Sequence, residues 1–318
     1  MKKNSLITVL KLFISLALLY FLFSKINISA LWDRIRLINP SIVVLGASIF
    51  IGVQCVSTYR WWVILEKDID ISYRNLLSVY FIGMFFNNFL PTVVGGDVVK
   101  GYYLYKVSGK GGASLASIFM DRYSGFTALI FIVLAALFLG YPLIKDTGLP
   151  LFLTLLVGMY LVASLVIWVD SIHGWVLKLL ARTRLHRIAE KTGNFYDVLM
   201  SYKKSHKMLV KTFFYSLIVQ IGGIIGYYVL ARGLQINIPL GYFFIFIPLT
   251  TTASMFPLSL SGLGVREGAF VLLFTMIGAT QEEALSLSLL WLAIVVAVSS
   301  LGGIEYIKAG GRKELRTS

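Results

Sequence analysis

Asn87-Asn88-Phe89-Leu90-Pro91-Thr92-Val93-Val94-Gly95-Gly96-Asp97 is the stretch on which the fold turns. It sits inside an apolar region, about residues 76–99, that is otherwise long enough to cross a bilayer. Proline removes a helix hydrogen bond and glycine lowers helix propensity, so the region breaks in the middle. A second region, about 240–281, is interrupted in the same way by Phe256-Pro257-Leu258-Ser259-Leu260-Ser261-Gly262-Leu263-Gly264-Val265-Arg266-Glu267. At membrane depth, irregular backbone survives only where protein buries it or where it lines a wet cavity. Both regions therefore read as re-entrant or discontinuous hairpins.

The surroundings of these breaks place them in a membrane. The 318 residues are 58% hydrophobic and 14% charged, with a mean hydropathy of +0.81. Soluble domains are nearer a quarter charged, so one core would not hide this much apolar surface. Six uninterrupted runs, about 5–23, 40–62, 123–141, 150–169, 212–231 and 284–304, each approach the roughly 20 residues a spanning helix needs. The run from Leu6 to Phe23 follows Lys2-Lys3 but is longer than a signal-peptide core and has no small-residue cleavage site, so it reads as an uncleaved first helix. The expected fold is an all-α integral membrane protein with about six full spans and two broken hairpins.

The charge is +14, from 29 Lys+Arg against 15 Asp+Glu. Basic residues between apolar runs act as topology signals and attract anionic lipid, so nucleic acid is not an expected partner. Segment 170–211 carries Lys178, Arg182, Arg184, Arg187, Lys191, Lys203, Lys204, Lys207 and Lys211. The positive-inside rule puts it and both termini in the cytoplasm of a multi-pass plasma-membrane protein. Loop 24–39, with Lys25, Arg34 and Arg36, then faces outward as a mild exception. The two broken regions enter from opposite sides, which is the layout of an inverted repeat with halves at about 40–141 and 212–304. Residues 1–318 form a single polytopic domain on this reading. Trp175, Val176, Leu179 and Leu180 suggest an amphipathic helix on the inner surface, and Ser29–Ile38 with Trp32 a shorter interfacial one.

Ionisable groups at membrane depth are costly and face a cavity or a partner. They are Lys11, Asp97, Lys100, Asp121, Arg122, Arg266 and Glu267, and Lys11 can snorkel to the headgroups. Pairing Asp97 with Arg266, or Glu267 with Arg122 or Lys100, would neutralise buried charge across the halves. Arginine and broken-helix N-termini both suit a phosphate or carboxylate, so the natural ligand is an anionic headgroup. Asn87, Asn88, Gly95, Gly96, Asp97, Lys100, Asp121, Arg122, Gly262, Gly264, Arg266 and Glu267 are the candidate substrate-binding residues. Internal ion pairs that merely lock the hairpins are an equal alternative. No catalytic residue, metal ligand or cofactor is expected: HExxH, GxSxG and the phosphate-binding loop are missing, and His173, His186 and His206 lie away from the hairpins. A lone Cys55 allows no disulfide within the chain. Glu282-Glu283 reads as solvated.

Asn87 through Pro91 with Gly95-Gly96-Asp97, then Asp121-Arg122 with Gly125, then Pro257 through Gly262-Leu263-Gly264-Val265-Arg266-Glu267-Gly268 occur in an order found elsewhere, with Arg60-Trp61-Trp62 a weaker match. In these stretches the chain resembles the flippase-like transmembrane domain of lysylphosphatidylglycerol synthases and its stand-alone relatives in bacteria and archaea. The resemblance implies a bundle that moves or accommodates a lipid between leaflets. The aminoacyl-transferase domain of the full synthases is absent from these residues. The cargo therefore stays open between an anionic or amino-acylated phospholipid and a polyprenyl-linked glycolipid. Two other functions stay open beside lipid transport: a membrane transferase on a polyprenyl-phosphate or glycolipid, and an accessory subunit whose basic face docks a cytosolic partner enzyme.

Overall fold

The computed structural model describes residues 2–24, 26–89, 95–169, 193–255, 259 and 262–311, and every element among them is a helix. In chain order these are α1 (Lys2–Ser24), α2 (Ile28–Leu37), α3 (Pro40–Leu65), α4 (Tyr73–Phe89), α5 (Gly95–Ser108), α6 (Gly111–Leu139), α7 (Tyr141–Ile144) and α8 (Leu149–Trp168). There follow α9 (Gly193–Lys203), α10 (His206–Gly233), α11 (Leu240–Met255), α12 (Val265–Thr275), α13 (Gln281–Ser299) and α14 (Leu301–Gly311). Five are long and apolar enough to cross a membrane, and a sixth span results if α1 and α2, bent by 88°, count as one. The chain is a multi-pass all-α membrane protein.

Side-chain caps begin several of these helices. Asn27 Oδ1 accepts from the Ser29 and Ala30 N–H groups to start α2, the interfacial helix expected around Trp32. Asn39 does the same for α3, with Pro40 in the first turn where its missing N–H costs nothing. Thr280 and Glu283 cap each other's backbone at the start of α13. The two interrupted regions are broken as expected: α4 stops at Phe89 and α5 starts at Gly95, and α11 stops at Met255 ahead of α12 at Val265. In each case the two short helices pack against one another.

The boundary that differs most from the sequence reading is the start of the third span. The third span does not begin near Tyr123. Helix α6 runs from Gly111 to Leu139 and carries Asp121 and Arg122 in its body. Both charges have partners inside the bundle, so they do not end the helix. Part of the basic segment 170–211 is also helical, as α9 and the start of α10. The amphipathic stretch Trp175–Leu180 lies outside the described residues.

Helices α3 and α10 form the most extensive packed pair, lying close because small residues face large ones. A Cβ on Gly46 would meet Leu230 Cδ2 at 2.8 Å, and one on Gly233 would meet Ile42 Cγ2 at 2.7 Å. Lipid tails are as apolar as leucine, so such contact, not water exclusion, holds membrane helices together. The second half is zipped by rings. Tyr227 of α10 stacks on Trp291 of α13 at 4.2 Å, and Phe274 of α12 meets Phe243 and Phe246 of α11 at 5.3 and 5.2 Å.

Candidate functional site

Asp121 is the point from which the centre of the bundle is built. It lies ten residues into α6, about 15 Å along the helix. From α3, Arg60 brings Nε and Nη2 to Asp121 Oδ1, both at 2.8 Å, and donates from Nη1 to Ser216 Oγ of α10 at 3.0 Å. Arg60 and Asp121 are 5% and 7% exposed, so this three-helix cluster is neutralised in place. Gly125, one turn on, makes room for the guanidinium: a Cβ there would lie 3.2 Å from Arg60 Nη1.

The next residue serves a second pair. Arg122 grips Asp97 of α5 with two parallel bonds, Nε to Oδ2 at 2.8 Å and Nη2 to Oδ1 at 2.9 Å. Lys100, one turn after Asp97, stands 3.7 Å from the same carboxylate and 3.7 Å from the centre of the Tyr80 ring, over which its ammonium sits. Asp97 is held where a helix N-terminus favours a carboxylate, in the first turn of α5. The approach of α5 to α4 depends on Gly96, whose N–H donates to Asn87 Oδ1 at 2.7 Å. A Cβ on Gly96 would fall 2.0 Å from the Gly83 carbonyl oxygen. Asn88 turns to α13 and donates from Nδ2 to Ser299 Oγ.

The second break carries a self-contained pair. Glu267 is fully buried, accepts the Gly264 N–H on Oε2 at 2.7 Å, and takes Arg266 on Oε1 through Nε at 3.0 Å and through Nη2. Gly264 has φ +85°, where a side chain would be strained, and Gly262 has φ +79°. The space beside Gly264 is closed by Leu18 of α1.

Charge pairing across the halves is therefore not what forms. Asp97 pairs with Arg122 and Lys100, and Glu267 with Arg266. Each break finds a cation for its carboxylate within its own half, and each places that carboxylate in a first helical turn.

A cavity of about 360 Å³ opens beside the first two pairs, walled by α3, α4, α6, α10, α11 and α13. Arg60, Asp121, Arg122 and Gly125 line it, with Gln54, Ser57 and Gln220 as further polar groups and Phe50, Phe126 and Trp291 as apolar wall. Arg122 is the charge most open to it, with its side chain 49% exposed. Its Nη1 makes no hydrogen bond among the described residues. Of the twelve residues singled out from sequence, Asp121 and Arg122 face this cavity. Asp97 and Lys100 stand behind Arg122 and Tyr80, and Asn87, Gly95 and Gly96 form the α4–α5 contact. Arg266 and Glu267 begin α12, whose Phe270 packs on Tyr227, another wall residue, at 5.2 Å. Gln54, Ser57 and Gln220 escaped sequence reading, since an isolated polar residue in a long apolar run has no period to reveal it. Arg60 carried a signal, as an arginine inside the apolar run 40–62 and the first residue of the weaker match Arg60-Trp61-Trp62. Among the described residues there is no group of three or more His, Cys, Asp or Glu that would hold a metal ion.

The comparisons with known proteins agree with this architecture. A UPF0104 membrane protein of Methanothermobacter thermautotrophicus is 26% identical over 271 residues, 79% of this chain and 80% of the relative. The family model described as the lysylphosphatidylglycerol synthase TM region matches residues 8–303, which take in both breaks and every residue of the central cavity. The chain belongs to the lysylphosphatidylglycerol synthase TM region family.

Proposed function

We propose that this protein handles a lipid in the manner of a flippase, with the phosphate of an anionic headgroup drawn into the central cavity beside Arg122. One observation carries this reading. The charged residues at and behind the cavity are Arg60, Lys100 and Arg122 against Asp97 and Asp121, three cations to two carboxylates. One positive charge is in excess where uncompensated charge is expensive. A phosphate would cancel it, and Arg122 offers the unused edge of its guanidinium for a charge-assisted bond. The cavity volume falls within the range of small-molecule sites, enough for a headgroup whose acyl chains stay among the helices.

The two broken helix pairs, α4–α5 and α11–α12, support an inverted-repeat arrangement in which each half rocks about the cavity. The family name points to lipid chemistry, and the excess positive charge favours an anionic phospholipid over a headgroup that adds an ammonium. The test is reconstitution in vesicles carrying fluorescent phosphatidylglycerol, with dithionite added outside to report movement between leaflets. Wild type accelerates the exchange, and Arg122→Gln, still folded, does not. Equal rates for the two proteins would remove Arg122 from the site.

A further inference from the structure

The end of the bundle where α3 leaves and α10 enters holds a second cavity system that the central site does not use. A cleft of about 600 Å³ is lined by Lys67 beyond α3 and by Lys204, Lys207 and Lys211 around the start of α10. These four ammonium groups make no hydrogen bond or ion pair among the described residues, and Glu66 is the one carboxylate in the lining. The helix beneath them adds to the excess. α10 is 28 residues long, and Ser205 at its N-cap makes no side-chain bond to the first turn. Lysines beside the positive end of a helix dipole are placed against their electrostatic preference. An anion in the cleft relieves both.

The shape says which anion. Val63 and Met208 make part of the cleft apolar, and His206 is shared with an adjoining groove of about 350 Å³. That groove runs between α6, α8 and α10 and is walled by Met120, Trp168, Leu209 and Phe213. A soluble phosphate has no use for it, but an acyl chain does. We propose that the lysine cleft and this groove form a second lipid site, with a phosphate-bearing phospholipid headgroup among Lys67, Lys204, Lys207 and Lys211 and one acyl chain along Trp168 and Phe213. The site is separate from the central cavity. α6 turns Met120, Ser124 and Thr127 to the groove and Asp121, Gly125 and Leu129 to the cavity, so one helix is the partition between them.

The experiment is native mass spectrometry of the full chain in detergent, titrated with dioleoyl phosphatidylglycerol, with dioleoyl phosphatidylcholine, and with glycerol phosphate as competitor. Four proteins join the wild type. One has Lys204→Gln, Lys207→Gln and Lys211→Gln together; the charge-matched control has Arg74→Gln, Lys106→Gln and Lys308→Gln; the last two carry Arg122→Gln, alone and with the three cleft changes. Lysines near an anionic headgroup contribute enough that the cleft variant should bind phosphatidylglycerol about tenfold or more weakly. The control should retain this binding within about twofold, the cleft changes should weaken it by the same factor in the Arg122→Gln background as in wild type, phosphatidylcholine should bind wild type less well, and millimolar glycerol phosphate should not displace the lipid. An equal loss in the control means diffuse charge and overturns the site. A cleft effect that vanishes in the Arg122→Gln background overturns its separateness from the central cavity. Displacement by glycerol phosphate overturns the lipid assignment in favour of a soluble phosphate.

Discussion

Removing the carboxylate of Asp121 should unfold the centre of the bundle, and removing its arginine as well should restore it. Asp121→Leu leaves the Arg60 guanidinium, 5% exposed, with Ser216 Oγ as its one remaining partner. Breaking a buried pair in this way costs about 3–5 kcal/mol, since an uncompensated charge stays behind. Arg60→Met should cost a similar amount by stranding the carboxylate. The double variant Arg60→Met with Asp121→Leu removes both charges and fills the space with apolar atoms. Ser216 remains satisfied, because its hydroxyl donates to the Thr212 carbonyl at 2.7 Å. The double variant is therefore expected within about 1–2 kcal/mol of wild type. Equilibrium unfolding in mixed micelles on adding dodecyl sulfate, followed by tryptophan fluorescence, measures all three. A double variant as unstable as the two single losses added together would refute the pairing argument. If it refolds, the same protein then reports whether these two cavity-lining charges matter to lipid movement or only to the fold.

Four further outcomes follow from other contacts. Gly96→Ala pushes a methyl group to within 2.0 Å of the Gly83 carbonyl and should lose about 1–3 kcal/mol or more, while Gly52→Ala, with nothing within 4 Å, should stay within about 0.5 kcal/mol in the same assay. Glu267→Ala strips the acceptor from the Gly264 N–H and from Arg266 and should cost about 2–4 kcal/mol, seen as a lower yield of monodisperse protein and an earlier unfolding midpoint. Arg34→Ala removes a bond to Glu283 that is partly open to solvent and should change stability by less than about 1 kcal/mol. Burial, reinforced by the nearby Asp68 carboxylate, raises the Tyr202 phenol above its ordinary value of 10.0. A raised folded value means that the unfolded chain loses its proton first. This contribution is thus whole below about pH 10 and lost as pH rises towards the folded value, and Tyr202→Phe should flatten the fall above pH 10.

The breaks were legible because proline and paired glycine act locally: Pro91 with Gly95-Gly96, and Gly262 with Gly264, announce interruption whatever surrounds them. The short α2 was legible from its composition around Trp32. Partners were not. Arg60 and Asp121 are 61 positions apart and meet through the angle at which α3 crosses α6, which no local pattern encodes. The early start of α6 was missed for the same cause, since Asp121 and Arg122 end a span only when unpaired. Gln54 and Gln220 face the cavity through helix rotation, and a chain apolar all round gives rotation no sequence signature. For the broken hairpins, the choice of cation for each carboxylate was misjudged. Asp97 takes the nearer Arg122 over the mirrored Arg266.

The pairs also differ in how much of the chain must be made before each can close. Asp97 waits 25 residues for Arg122, so α5 and α6 have reason to enter the membrane as a unit, each cancelling the charge that would make the other slow to insert. Glu267 waits a single residue for Arg266 and needs no such companion. Arg60 is different. Its contact with Ser216 spans 156 positions and closes only when α10, from the other half of the chain, comes to lie beside α3. The first half alone therefore cannot supply the Ser216 acceptor, and the docking of α10 on α3 is what completes the Arg60 cluster.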